Sequence, residues 1–315
     1  MSRRTFNRVS AKFVDGFFQS LSSMGRALPS STPERHDVEC LEDLSYGPHG
    51  DANLLDVYRP MSTSDSEGLP VVLYIHGGGF RSLSKDTHWI MSLIFARRGY
   101  LVVNINYRLG PEHPYPAAIE DTCTAWLWAQ EHVGELGGDP GRIVVAGESA
   151  GANLVMALTV ACCYQRDETW AREVYEAGVV PKVVAPACGI FQVSDVARYQ
   201  RDGHSNRFTQ AVLDDCEDCY LPGESLRSQP GLADPVCIIE QEMPDRDLPP
   251  AFLPVGGWDP LREDNRRMTQ ALWDRDVEAI DRLYPREVHA FHALVFRKRA
   301  RQCWREMLEF VDARV

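Results

Sequence analysis

From residue 70 onward, short continuous apolar runs alternate with longer helix-like stretches, and no other feature restricts the fold of this chain so strongly. "PVVLYIHGG" (70–78), "YLVVNINYR" (100–108), "GRIVVAGES" (141–149), "PKVVAPACG" (181–189) and "PPAFLPVGG" (249–257) have the length and β-branched content of strands. Between them, "HWIMSLIFARRG" (88–99), "AAIEDTCTAWLWAQEHVGEL" (117–136), "AGANLVMALTVACCYQR" (150–166) and "REDNRRMTQALWDRDV" (262–277) read as helices. "AIDRLYPREVHAF" (279–291) reads as a further strand and "RARQCWREMLEFVDARV" (299–315) as a closing helix. Strands that are apolar throughout must be covered on both faces. The expectation is therefore an α/β chain with a mostly parallel sheet between two helical layers. Earlier, "DVECLEDLSY" (37–46) and "NLLDVYRP" (53–60) lie too close for a crossover helix and read as antiparallel strands at one edge.

The alternation breaks at about 190–248, a stretch rich in Asp, Glu and Pro that contains helical pieces such as "TQAVLDDCEDCYL" (209–221). A structureless loop of that length is foreign to a compact domain. A helical insertion over one end of the sheet is expected instead.

Totals exclude several classes. A net charge of −12 argues against nucleic acid as a partner. No apolar run reaches 18 residues, so no integral membrane association is expected, and the basic N-terminus lacks the apolar core of a signal peptide. Nine cysteines without framework spacing suggest reduced thiols and a cytoplasmic setting. Cys216 and Cys219 form a C-x-x-C without partner ligands and in acidic surroundings, hence a structural or incidental pair. No P-loop, H-E-x-x-H or G-x-G-x-x-G occurs, so neither a cofactor nor a metal is expected.

"HGGGF" (76–80) places three glycines behind a buried strand, where glycine weakens the strand and gives it nothing to pack. A tight turn would explain one such glycine. "GESAG" (147–151) explains three. As a bare G-x-S-x-G it arises by chance in about one chain in ten, but here it joins a strand to a helix. Glycines two before and two after let the chain bend sharply and hold Ser149 at a helix N-terminus, where an anion is favoured. The N–H of Ala150 is then one oxyanion donor, and a second must come from a loop after an earlier strand, where HGGG stands. A serine nucleophile needs a base and the base an orienting acid, which follow it in the order acid, histidine. Asp259 in "VGGWDPLRED" and His289 or His292 in "PREVHAFHAL" fill those places.

Together, "IHGGGF" (75–80), "YRLGPEHPYPAAIED" (107–121), "GESAG" (147–151), "DPLRED" (259–264) and "HAF" (289–291) resemble the hormone-sensitive-lipase group of α/β-hydrolases, the bacterial HGGG-type esterases. The match runs from about residue 53 to 300. The resemblance implies an α/β-hydrolase fold, with an eight-stranded, mostly parallel sheet, helices on both faces and a helical cap. It implies a carboxylesterase with nucleophile Ser149, acid Asp259, base His289, and oxyanion donors at Gly78, Gly79 and Ala150. His289 is preferred over His292 because it occupies the family's histidine position.

Glu148, Ala290 and Leu83–Ser84 depart from the family's usual residues without removing a catalytic group. Arg108 and Asp121 are expected to form a structural ion pair.

The expected division is 1–45 N-terminal cap helices, 46–189 first core part, 190–248 cap insertion and 249–315 second core part. The expected partner is a small-molecule ester of short- to medium-chain acyl type, and a homodimer is allowed. Two alternatives stay open: a non-catalytic small-ligand receptor on the same fold, and a hydrolase of amides, lactones or carbamates. In the N-terminal segment Phe6, Val9, Phe13, Phe17, Leu21 and Met24 recur every three or four residues, as one helix face would. Hydrolases resembling this one build part of their lid there, and the same row is expected to pack as lid. Arg3, Arg4, Arg8 and Lys12 give the rival reading of a membrane-surface helix.

Overall fold

A computed structural model describes residues 3–28, 31–61 and 68–315 of the chain. Its centre is an eight-stranded sheet of β1 (Val38–Ser45), β2 (Leu54–Pro60), β3 (Leu69–Ile75), β4 (Leu101–Ile105), β5 (Gly138–Glu148), β6 (Val183–Ala187), β7 (Ala251–Gly256) and β8 (Ala279–Tyr284). The spatial order is β1-β2-β4-β3-β5-β6-β7-β8. β1 and β2 pair antiparallel, as do β2 and β4; every other pairing is parallel. The helices are α1 (Arg3–Arg26), α2 (Trp89–Arg97), α3 (Ala117–His132), α4 (Ala150–Cys163), α5 (Thr169–Ala177), α6 (Arg198–Arg201), α7 (Arg207–Tyr220), α8 (Glu224–Ser228), α9 (Pro235–Gln241), α10 (Arg262–Trp273) and α11 (Lys298–Asp312).

The period of two along a strand sorts the core into two layers. Val71, Leu73 and Ile75 of β3 face one way, into a cluster with Trp126 of α3 and Leu154 and Leu158 of α4. Val72 and Tyr74 face the other, against Phe95 of α2 and Trp304 and Phe310 of α11. Both faces are apolar because both are covered, which is why these strands show no polar alternation. Arg108 pairs with Asp121 at 2.9 Å and also takes Glu120 at 2.8 Å, fixing the loop after β4 to the start of α3.

Three features differ from expectation. β1 begins at Val38, so the sheet starts inside the segment 1–45 assigned above to the cap. Within 190–248, α9 buries Val236 and Ile239 and packs on α4 and α10; that part belongs to the core layer. α5, a nine-residue helix that buries only Ala171 and Val174, has no counterpart in the sequence reading.

A further difference concerns the face of α1. The helix forms and packs on α7, but the side chains it buries there are Asn7, Ser10 and Ala11. Val9, Phe13, Phe17 and Met24 stay 55–71% exposed. Small and polar residues let the two helices approach closely, and the large apolar row turns outward.

Candidate active site

Ser149 ends the turn between β5 and α4 with φ 56° and ψ −116°, a conformation that costs a non-glycine residue about 1–3 kcal/mol. The turn is held from both sides. Ser149 donates its N–H to the Ala187 carbonyl at 2.9 Å. A Cβ at Gly151 would collide with the Ile75 carbonyl oxygen of β3, so glycine is required for the helix to approach the sheet so closely.

The loop after β3 carries the glycines. Gly78 has φ +117°, and a side chain there would strike the Ser82 carbonyl oxygen. Ser82 closes this turn by donating its Oγ–H to the Gly78 carbonyl at 2.9 Å. Among the described residues, nothing accepts the N–H of Gly78 or Gly79. His76 is fully buried, stacked on Tyr107 at 4.2 Å, and accepts the Tyr107 hydroxyl on its carbonyl at 2.9 Å. Burial, reinforced by nearby His88, pushes its imidazole down to about 3, so it is a neutral structural plug.

His289 Nδ1 lies 2.9 Å from Asp259 Oδ2. A carboxylate only accepts, so the proton sits on Nδ1 and Nε2 is left as the basic nitrogen. Burial disfavours the imidazolium, but the Asp259 carboxylate and the Cys188 thiol outweigh it and hold His289 well above the ordinary histidine value. Asp259 itself is buried, and its Oδ1 takes the Leu261 N–H at 2.9 Å.

Ser149, His289, Gly78 and Gly79 open into one cavity of about 350 Å³. Its apolar wall includes Val14 and Phe18 of α1, Phe208 and Leu213 of α7, and Trp258 and Val288 from the strand-end loops. Ala150 is buried at the first turn of α4, and Asp259 sits behind His289. A larger groove of about 660 Å³ between α2 and α11, lined by Ile94, Arg97 and Arg301 among others, contains none of these groups.

His292 is elsewhere: 2% exposed, with Nε2 2.9 Å from Glu148 Oε2. Glu148 also takes His88 Nε2 at 2.8 Å on its other oxygen. Burial alone would raise this carboxyl, but His88 and His292 reverse the effect and leave it well below the ordinary range. Sequence reasoning did not find this arrangement. Its members lie 60 and 144 residues apart, and no local pattern links them. It also missed Arg81, which joins Asp15 of α1 at 2.5 Å and Asp215 of α7 at 3.1 Å beside the glycine loop.

Among the described residues, two groups bring metal-binding atoms within 4.8 Å, Cys188–Asp259–His289 and Cys40–Glu42–Asp56. In the first, carboxylate and imidazole already bind each other and burial raises the Cys188 thiol. In the second, burial pushes the Cys40 thiol up to about 12 and Asp56 pairs with Lys85 at 2.8 Å. Cys216 and Cys219 are buried with thiols pushed up by burial to about 12 and about 11, as inert cysteines are.

Residues 72–293 match the family model described as alpha/beta hydrolase fold. The chain is 32% identical over 289 residues to Esterase LipI of Mycobacterium tuberculosis, spanning 90% of this chain and 81% of the relative. It is 32% identical to Carboxylesterase NlhH of the same organism over 75% of this chain and 70% of the relative. Among solved structures, brefeldin A esterase, a bacterial homologue of human hormone-sensitive lipase, superposes with a TM-score of 0.77 at 25% identity, over 99% of this chain and 86% of that one. An esterase from Pyrobaculum calidifontis gives 0.75 at 26% identity, over 96% and 93%. The chain belongs to this α/β-hydrolase family, among the carboxylic ester hydrolases related to hormone-sensitive lipase.

Proposed function

We propose that this protein hydrolyses carboxylic esters through an acyl-enzyme on Ser149. The observation that carries the reading is one cavity containing Ser149 on its strained turn, His289, and two glycine N–H groups with no acceptor among the described residues. Ser149 Oγ attacks the ester carbonyl while its proton passes to His289 Nε2, with Asp259 steadying the imidazolium. The N–H groups of Gly78, Gly79 and Ala150 receive the negative oxygen. Collapse expels the alcohol, which takes the proton from His289. Water then repeats the attack and releases the acid and free Ser149. The apolar wall and modest volume of the cavity support short- to medium-chain acyl groups.

α1 and the part of 190–248 that includes α7 would form the cap, since both supply walls of the cavity. All nine cysteines are unpaired, which supports a cytoplasmic setting. No described helix is long and apolar enough to cross a membrane.

Ser149→Ala should lower kcat by about 10⁶-fold, and a fluorophosphonate should label Ser149 in the unaltered protein. A labelled peptide elsewhere would overturn the assignment. Matched ester and amide substrates separate an esterase from an amidase.

A further inference from the structure

Among the described residues, no other element covers the outward row of α1. Phe13 and Met24 are each 71% exposed, Phe17 57% and Val9 55%. At 100° per residue, positions 9, 13, 17 and 24 fall on one stripe. Arg8 and Lys12, both exposed, flank it and form no ion pair among the described residues. The first fourteen residues carry four cations and no acid in a chain of net charge −12; the side chains of Arg3 and Arg4 lie outside the described residues. Charge is thus segregated onto this helix.

Its acidic neighbours on α7 are engaged with other groups. Asp215 pairs with Arg81 at 3.1 Å and Asp218 with Arg227 at 2.5 Å, while Asp214 accepts from Gln210 at 2.8 Å. Arg8 is attracted by Asp215 without forming an ion pair, and both Arg8 and Lys12 are exposed to an outside anion. The stripe also adjoins the cavity: the exposed Phe17 ring meets Phe18 edge-on at 5.6 Å, and Phe18 lines the cavity wall.

We propose that the outward face of α1, with Val9, Phe13, Phe17 and Met24 as its apolar stripe and Arg8 and Lys12 as its basic flank, docks the protein onto an anionic lipid surface. An amphipathic helix of this kind lies in the plane of the interface, its apolar stripe among the acyl chains and its cations at the headgroups. A second copy of the chain is the poorer occupant, because a two-fold contact along the stripe would bring the same cations near one another. Docked this way, the cavity wall formed by Val14 and Phe18 borders the lipid layer, where apolar esters concentrate.

The test is flotation of the full chain with phosphatidylcholine vesicles, with and without phosphatidylglycerol. Binding is expected to the anionic vesicles and to weaken as salt rises. Phe13→Asp with Met24→Asp should reduce vesicle affinity by about tenfold or more. Arg8→Gln with Lys12→Gln should remove the preference for phosphatidylglycerol. Both variants should keep unchanged rates on a water-soluble acetate ester. The proposal is overturned by absent binding, by equal binding to both vesicle types, or by binding that neither variant alters. It is overturned equally by a wild-type dimer that Phe13→Asp with Met24→Asp dissociates, since a second copy would then cover the face.

Discussion

His88 Nε2 lies 2.8 Å from Glu148 Oε1, so the residue before Ser149 is tied to the segment that follows the glycine loop. The Gly77 amide nitrogen stands 3.3 Å from the same ring nitrogen, and His292 holds the other carboxylate oxygen at 2.9 Å. One buried carboxylate thus links the turn bearing Ser149, the loop bearing Gly78 and the loop bearing His289. Glu148→Ala should cost about 3–5 kcal/mol of stability, because it leaves buried imidazoles without their anion. Glu148→Gln preserves shape and should cost less, about 1–3 kcal/mol. A carboxyl held below its ordinary value stabilises the fold above the unfolded value of about 4.3 and loses that contribution as pH falls through the folded one. Urea unfolding should therefore show the full difference between wild type and Glu148→Ala at neutral pH and a shrinking one in acid. Equal stability of both proteins at neutral pH would sink this account.

The two histidines of "HAFH" should separate cleanly. His289 faces the cavity, whereas His292 is buried on Glu148. His289→Asn should abolish turnover with little change in melting temperature. His292→Asn should retain most of the turnover while lowering the melting temperature, since it removes one side of the buried clamp. A reversed pattern in the two variants would refute the assignment of His289 as base.

The pH dependence follows from the Asp259–His289 contact. In the proposed mechanism His289 accepts the Ser149 proton only when Nε2 is unprotonated, and Asp259 holds the imidazole well above its ordinary value. kcat/KM should therefore rise with pH through a limb whose midpoint lies above about 6.5, the ordinary histidine value. A rate already flat below that pH would contradict it.

What the sequence made legible was whatever local chemistry dictates. β3 to β7 could be read because burial on both faces demands uninterrupted apolar runs, and Ser149 because its turn needs glycines at fixed offsets. Asp259 and His289 followed from chain order and resemblance. Glu148, His88, His292 and Arg81 stayed hidden because their meaning lies in partners far along the chain. Of the row Phe6, Val9, Phe13, Phe17, Leu21 and Met24, read as one packing helix face, Phe6 and Leu21 are half-buried and the other four stay exposed. Periodicity says which residues share a face, and the face that packs is decided by what the neighbouring helix can accept. On α1 that is the small face of Ser10 and Ala11.

Arg81 supplies the last prediction. Its guanidinium is 9% exposed and lies between Asp15 of α1 and Asp215 of α7, while its backbone N–H donates to the Gly78 carbonyl at 3.2 Å. Ser82 reinforces the contact, with its Oγ 2.8 Å from Asp15 Oδ1 and within reach of both that carboxylate and the Gly78 carbonyl. The helices that wall the cavity are thereby tethered to the glycine loop. Arg81→Met keeps an unbranched apolar stem and removes the charge, leaving two nearly buried carboxylates to repel each other. The loss should be about 3–5 kcal/mol, concentrated in α1 and α7, because the sheet core does not depend on this contact. Hydrogen exchange should show faster opening of residues 5–26 and 207–220 with β3 to β7 unchanged. Catalysis should suffer unevenly: an acetate ester needs little of the wall built by Val14, Phe18 and Leu213, whereas a longer acyl chain packs along it. KM should accordingly rise more for a hexanoate than for an acetate ester. Adding Asp15→Asn with Asp215→Asn to Arg81→Met should recover part of the lost stability by removing the unpaired charges. Uniform loss across acyl lengths, or exchange accelerated equally throughout the sheet, would show that Arg81 supports the whole fold rather than the cavity wall.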